Sequence, residues 1–311
     1  MRNTPLLFNG GKYFHIMKQK PVIIGIGEIL WDLLPTGKKA GGAPVNFAFH
    51  AAASGVESYA ISAIGSDPEG DEMMRELNKH NIRYLIEKVD HPTGTVRVEL
   101  KSGIPTYTIT EEVAWDYIPL TEEMKHLAAR CDAICFGTLA QRSEVSRNTI
   151  RTILSLTPPD SYRILDINIR QQYYTKETIL TSLQLCNICK MNDEEVQLIK
   201  SLFNKEGEDN ERVCKWLMEN FSLQMMILTA GDRESTIYTS SEVSRIGTPR
   251  VTVADTVGAG DAFTGTLIAS LLEGKTVAEA HSDAVQRAAF VCTREGAWVS
   301  ELSPVSISLH R

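Results

Sequence analysis

A mostly parallel β-sheet covered by helices on both faces is the fold class that this sequence predicts. Short β-branched runs alternate with helical stretches along most of its 311 residues, the rhythm of βαβ units. A composition of 43% hydrophobic and 23% charged residues is ordinary for a globular protein and ample for one large α/β core. Two segments break the alternation, and those predict a small second sheet.

In chain order, "PVIIGIG" (21–27) reads as a buried strand and "VNFAFHAAASG" (45–55) as a helix stopped by Gly55. "SYAISAIG" (58–65) is strand-like and "DPEGDEMMRELNKHN" (67–81) helical. The strands "DAICFG" (132–137), "YRILDIN" (162–168), "NICKMN" (187–192) and "QMMILTAG" (224–231) follow. The helices "RNTIRTILSL" (147–156), "KETILTSLQL" (176–185), "DEEVQLIKSLF" (193–203) and "ERVCKWLMENF" (211–221) separate or follow them. The segments that break the rhythm are "EILWDLLPTGKKAGG" and "GTVRVELKSGIPTYTITEEVAWDYIP". The second alternates polar and apolar residues around the turn signal "KSG", as a half-exposed hairpin does.

A net charge of −7, with no Lys/Arg block, argues against a nucleic-acid or anionic-membrane role. No apolar run approaches the roughly 20 residues that span a bilayer. Residues 1–18 are expected to be a flexible extension without a secretory signal, with Met17 a candidate native start. Six scattered cysteines, with the single Cys-x-x-Cys at Cys186 and Cys189, read as buried thiols in a reducing cytoplasm; zinc or redox use of that pair is the lesser alternative.

Near the C-terminal end, "DTVGAGDAFTGTLIASLLEG" (255–274) places Gly258, Ala259 and Gly260 just before a helix. From Ala262 onward that helix reads as amphipathic, with Phe263, Leu267 and Leu271 every four residues. Amide N–H groups and the dipole at such an N-terminus attract anions. Asp261 then has two readings. It caps the helix, or it takes a proton from a hydroxyl that attacks a phosphate held by the loop. Neither G-x-x-x-x-G-K-[ST] nor G-x-G-x-x-G occurs. A second glycine pair, Gly41 and Gly42, precedes the helix that carries Asn46, and Asp32 lies beyond the end of a buried strand. Asp32 and Asn46 suit vicinal hydroxyls, and in open α/β sheets ligands gather at the carboxyl ends of strands. Read alone, the two are equally a surface Asp and a helix-start Asn.

"GGAPVNFAFHAAASGVESYAISAIGSDPEGDEM" resembles the N-terminal signature of the ribokinase-like (PfkB) carbohydrate kinases, and "DTVGAGDAFTGTLIASLLEG" resembles their C-terminal one. The similarity runs from about Val22 to about Ser300. It implies a three-layer αβα sandwich with a mostly parallel central sheet and a β-sheet lid, formed by strands from about 28–40 and 93–118 within a domain of residues 19–311. It also implies an ATP-dependent kinase with Asp261 as general base and Gly258, Ala259 and Gly260 as anion hole. Asp32, Gly41, Gly42 and Asn46 match the sugar-binding set, joined by Arg97 from the lid and Arg170. Asn192, Glu195, Thr229 and Gly231 match the nucleotide side, with Glu195 organising magnesium through water. Asp255, with Val257, Val291, Arg294, Gly296 and Ser300, matches a monovalent-cation site, expected to hold potassium.

"FGTLAQR" and "DINIR" are most similar to fructokinases, although Ile167 stands where a proline is usual. In the lid, Tyr107 and Trp115 either close over the sugar or pack the accessory sheet. The expected activity is fructose to fructose 6-phosphate. A 2-keto-3-deoxygluconate kinase, another sugar or nucleoside kinase of the family, or a non-catalytic sugar-binding regulator are the alternatives. The expected partner is a small sugar, with a homodimer through the lid.

Overall fold

Strand β1 (Val22–Ile26) begins the described chain and is buried along its whole length. The computed structural model describes residues 20–35, 37–101 and 104–299, so the expected N-terminal extension and Ser300 lie outside the described residues. Helix α1 (Ala43–Ala53), strand β4 (Glu57–Gly65), helix α2 (Pro68–Lys79) and strand β5 (Arg83–Val89) follow, after two short strands, β2 (Leu30–Leu34) and β3 (Gly37–Gly41). Then come β6 (Thr95–Lys101), β7 (Ile104–Ile109), α3 (Glu122–Ala128), β8 (Ala133–Phe136), α4 (Glu144–Leu156) and β9 (Tyr162–Asp166). The rest are α5 (Lys176–Leu185), β10 (Ile188–Asn192), α6 (Asp193–Leu202), α7 (Asn210–Phe221), β11 (Met225–Thr229), β12 (Glu234–Thr239), β13 (Val243–Gly247), α8 (Ala259–Leu272) and α9 (Val277–Cys292).

Among the described residues, one sheet has the order β13-β12-β11-β10-β9-β8-β1-β4-β5. It is parallel from β5 through β11, with β12 and β13 added antiparallel at one edge. Side chains alternate across it. Val22, Ile24 and Ile26 join the core of Met124, Ile150, Ile179, Val196 and Val213, from α3 to α7. Ile23 packs on the other face with Phe47, Phe263, Leu267 and Ala284, from α1, α8 and α9. The three-layer αβα arrangement follows from strands apolar on both faces.

The strand order reverses between β8 and β1, so their carboxyl ends leave a crevice at the switch point. The small sheet, order β3-β2-β6-β7, stands beside that crevice and matches the expected accessory strands. It is docked by Gln171, whose side-chain amide donates to the Tyr107 carbonyl at 2.6 Å, and by Arg142, which donates to Asp116 and to the Thr110 carbonyl. Tyr107 is exposed, whereas Trp115 is 1% exposed and joins the main core, so Trp115 packs and does not close over a ligand.

The helix expected from Ala262 starts three residues earlier, at Ala259, and is not amphipathic: every residue from Ala262 to Ser270 is buried. The Phe263, Leu267 and Leu271 spacing marks one face of a helix enclosed on several sides by the sheet, α1 and α9. Cys186 and Cys189 are buried, and burial pushes the Cys186 thiol up to about 12. Among the described residues no helix is long and apolar enough to cross a membrane.

Candidate active site

Gly258 is the N-cap of α8 and holds a left-handed backbone, φ 77°, with no side chain capping the helix. A Cβ there would sit 2.6 Å from the Ala297 Cβ. The first-turn amides of an α-helix have no acceptor within the helix. Here the Ala259 N–H donates to the Thr256 carbonyl, and regular helix bonding begins with Ala262 donating to Gly258. The N–H groups of Gly260 and Asp261 lie between them, at the positive end of a helix dipole. Asp261 is the third residue of the helix, not its cap.

The Asp261 carboxylate instead accepts a 2.8 Å hydrogen bond from the Asn46 side-chain amide. Asn46 reaches it because α1 and α8 cross closely at Gly265, where a Cβ would lie 2.6 Å from the Phe47 carbonyl oxygen. The other end of the Asn46 amide accepts from the Trp298 indole N–H at 2.8 Å. Both polar ends of Asn46 are thus committed, one of them to fixing the orientation of Asp261. Burial and the neighbouring Asp166 push the Asp261 carboxyl up to about 6, against the opposing pull of the Asn46 hydrogen bond, Lys190 and Arg170.

Three further groups crowd this crevice that sequence reasoning did not single out. Lys190, at 7% exposure, pairs with Asp166 at 2.7 Å and lies against Gly260, where a Cβ would be 3.3 Å from its Nζ. Burial opposes its charge, but Asp166, Glu195 and Asp261 outweigh that and hold its pKa above the usual lysine range. Glu28, at the end of β1, is 3% exposed with one carboxyl oxygen, Oε2, lacking a hydrogen-bond partner. Burial pushes it up to about 7, with Asp261 adding to the rise. Trp298 is the third. Glu28, Asp166, Asn168, Asp261 and Thr264 line one cleft with Pro44 and Phe47. Asn168 adopts a positive φ of 43° there. A charged Glu in the apolar run "GEIL" was the available signal for Glu28.

On the side of the small sheet, Asp32 sits in the middle of β2, opposite Lys39 of β3. Burial, with Asp255, pushes it up to about 6, while Arg170 and Lys39 pull down. Gly41 lies against the Asp32 carboxylate, and Gly42 is the N-cap of α1. Arg170 is exposed yet close enough to influence Glu28, Asp32 and Asp261. Arg97 is exposed on β6 and does not line the cleft.

At the ends of β10 and β11, Asn192 caps α6 by accepting from the Glu194 and Glu195 N–H groups, and Glu195 closes a capping box. One Glu195 oxygen accepts from the Asn192 N–H and the other from the Ile169 N–H, each at 2.8 Å. This ties the chain after β9 to the end of β10 and the start of α6. Thr229 ends β11, and Gly231 follows with φ 57°. Asp166 Oδ1 is buried at the end of β9 without a hydrogen-bond partner among the described residues. Among the described residues no group of three or more His, Cys, Asp or Glu could hold a metal by itself. That donor set fits magnesium carried on nucleotide phosphates and touched by one or two carboxylates through water.

The set expected around potassium is arranged differently. Asp255 accepts from the Val257 N–H with one oxygen, and from the Gly296 N–H and the Lys39 ammonium with the other, all at 3.1 Å. The Val291 carbonyl accepts the Arg294 N–H at 3.0 Å.

Comparison with known proteins gives the same outline. Residues 35–303 match the family described as pfkB family carbohydrate kinase. PH1459 of Pyrococcus horikoshii, an uncharacterised sugar kinase, is 26% identical over 298 residues, covering 89% of this chain and 92% of its own. Its crystal structure in complex with ATP has a TM-score of 0.73 at 25% identity, covering 89% of this chain and 94% of that one. A fructokinase of Rhizobium leguminosarum bv. trifolii is 27% identical over 265 residues, 80% of this chain and 79% of its own.

Proposed function

Because the chain belongs to the pfkB family of carbohydrate kinases, we propose that it transfers the γ-phosphate of ATP to fructose, with Asp261 as general base. The observation that carries this reading is the Asn46–Asp261 hydrogen bond at the N-terminus of α8. It holds a carboxyl, pushed up to about 6, in one orientation beside amides suited to an anion. A base with a pKa a little below the working pH is ionised and still an effective proton acceptor.

The sugar hydroxyl loses its proton to Asp261 as its oxygen bonds to the γ-phosphorus, and the bond from phosphorus to the ADP oxygen breaks. The Gly260 and Asp261 amides, with Lys190 behind Gly260, stabilise charge on the transferred group. Magnesium, when bound, would neutralise the ATP phosphates, with Glu195, Asn192 and Asp166 as the residues nearest that task. Support for ATP comes from the ATP complex of PH1459, and for fructose from the Rhizobium relative. Glu28 and Asp32 also favour a neutral polyol. An acid sugar would bring a carboxylate to a crevice already crowded with carboxyls, and a buried unpaired charge costs several kcal/mol.

Activity should follow the ionisation of the base. Below about pH 6 Asp261 is protonated, so kcat/KM falls about tenfold per pH unit. Above it the rate levels off, with Glu28, pushed up to about 7, titrating in the same cluster. A profile flat from pH 5 to 8, with chemistry shown to be rate-limiting, would remove Asp261 from the role.

The substrate is tested by kcat/KM across fructose, ribose, adenosine, fructose 6-phosphate and 2-keto-3-deoxygluconate. Fructose should lead, because a site built around particular hydroxyls rejects analogues lacking them by about 10⁴-fold. If the acid sugar leads, the fructose assignment fails and the kinase mechanism stands. Binding of a panel sugar without any consumption of ATP would instead favour a regulator over a catalyst.

A further inference from the structure

The cation expected behind the anion hole meets a lysine already in place. Lys39 belongs to β3 of the small sheet, two residues before Gly41. Its ammonium lies 3.1 Å from Asp255 Oδ2 and 3.6 Å from Glu295 Oε2, with Asp32 opposite it in the strand pairing. Asp255 is the residue that shapes the loop leading into α8, accepting the Val257 N–H from that loop and the Gly296 N–H from the loop ahead of Trp298. With the ammonium on Oδ2, every oxygen of that carboxylate has a donor. A diffusible cation entering here would face a like charge at contact distance.

We propose that the Lys39 ammonium replaces the monovalent cation, so that phosphoryl transfer by this chain does not require potassium. The tethered charge neutralises Asp255 permanently and keeps the loop ordered without an ion. It also fastens the sugar-side strand β3 to the loop that forms the anion hole, so the two halves of the site share one ion pair. The inference rests on the kinase reading, and its binding readout is independent of which sugar is used.

The experiment compares potassium chloride with tetramethylammonium chloride at equal ionic strength, for the wild type and Lys39→Met, which keeps the stem and removes the charge. Turnover of the wild type should agree within about twofold between the salts. Lys39→Met should lose tenfold or more in tetramethylammonium and regain most of it as potassium is added, with saturation. Without substrate, potassium should raise the melting temperature of Lys39→Met by about 2–4 °C, as expected for an ion binding only the folded state at roughly ten times its Kd. It should leave the wild-type midpoint unmoved. A wild type that loses more than fivefold on removing potassium overturns the proposal. So does a Lys39→Met protein that is indifferent to both salts, or one whose loss potassium does not restore. If Lys39→Met does not fold, the wild-type comparison of rates and melting temperatures decides alone. If no panel sugar is phosphorylated in either salt, the melting temperatures still decide the cation question while the substrate reading fails.

Discussion

Asp261→Asn is expected to lower turnover by about 10²-fold or more while leaving sugar affinity and the fold in place. The amide is nearly isosteric, and with its side-chain oxygen turned toward Asn46 it still accepts the hydrogen bond from that amide. It cannot accept the substrate proton. Stability should hold or rise slightly at pH 8. A carboxyl raised to about 6 binds more protons folded than unfolded between its ordinary value and 6, so its contribution favours the native state at low pH and is lost as pH rises through 6. Were Asp261 only a cap, the variant would lose about 1 kcal/mol and keep its rate. Single-turnover kinetics beside urea denaturation separates the two.

Lys190→Met should produce the largest loss of stability, about 3–5 kcal/mol, because it leaves a buried carboxylate without its partner. Asp166 loses a 2.7 Å ion pair, and Glu195 and Asp261 lose the nearest positive charge. With that charge gone, the Asp261 carboxyl should rise further, moving the acid limb of the activity profile to higher pH. A second substitution, Asp166→Asn, should recover much of the stability but not the rate, since the ammonium behind Gly260 is still missing. Urea midpoints of the single and double variants check this, and a single-variant loss below about 1 kcal/mol would show that the pair is not holding the strands together.

The large sheet was legible because its parallel strands are nearly continuous apolar runs such as "VIIGI" and "MMILT". Such runs are the mark of strands covered by helices on both faces. Strands β5, β12 and β13 were not read: β5 and β13 are part-exposed edge strands with polar sequences, and β12, although buried, reads as the mostly polar "ESTIYT" and gains strand character by pairing between β11 and β13. Helix α8 was found, but its first turn was given to the loop, because Gly258 and Gly260 look like loop, and Gly260 becomes helix once Gly258 takes the left-handed cap. Its apparent stripe misled for a different reason: Thr264, Gly265, Thr266 and Ser270 are polar or small, and sequence alone does not tell a small residue facing water from one admitting a neighbouring helix. Asp261 and Asn46 were picked out by their long flanking signatures, and Asp32 by its place beyond the end of a buried strand. Lys190 and Glu28 were not, for they approach Asp261 only because β1 and β10 end on one edge, and Trp298 reaches Asn46 from the loop after α9. Lys39 shows the same limit, since its partner Asp255 is more than two hundred residues away.

Helix α8 carries Asp261 on its first turn and fills the middle of one layer with the next two. Segments with that many buried contacts open only when the whole molecule unfolds. The floor of the site therefore has no soft mode of its own, and α8 amides should exchange with solvent on the timescale of global unfolding. On the kinase reading, any breathing at the site would fall to the small four-stranded sheet, which is held by its buried Leu30, Trp31, Val96 and Ile109 and by polar ties that include Gln171, Arg142 and Lys39. On the kinase reading, positioning of the base and passage of substrate would then rest on different parts of the chain. Stiffening the sheet would slow product release, and loosening α8 would cost the fold before it changed the rate.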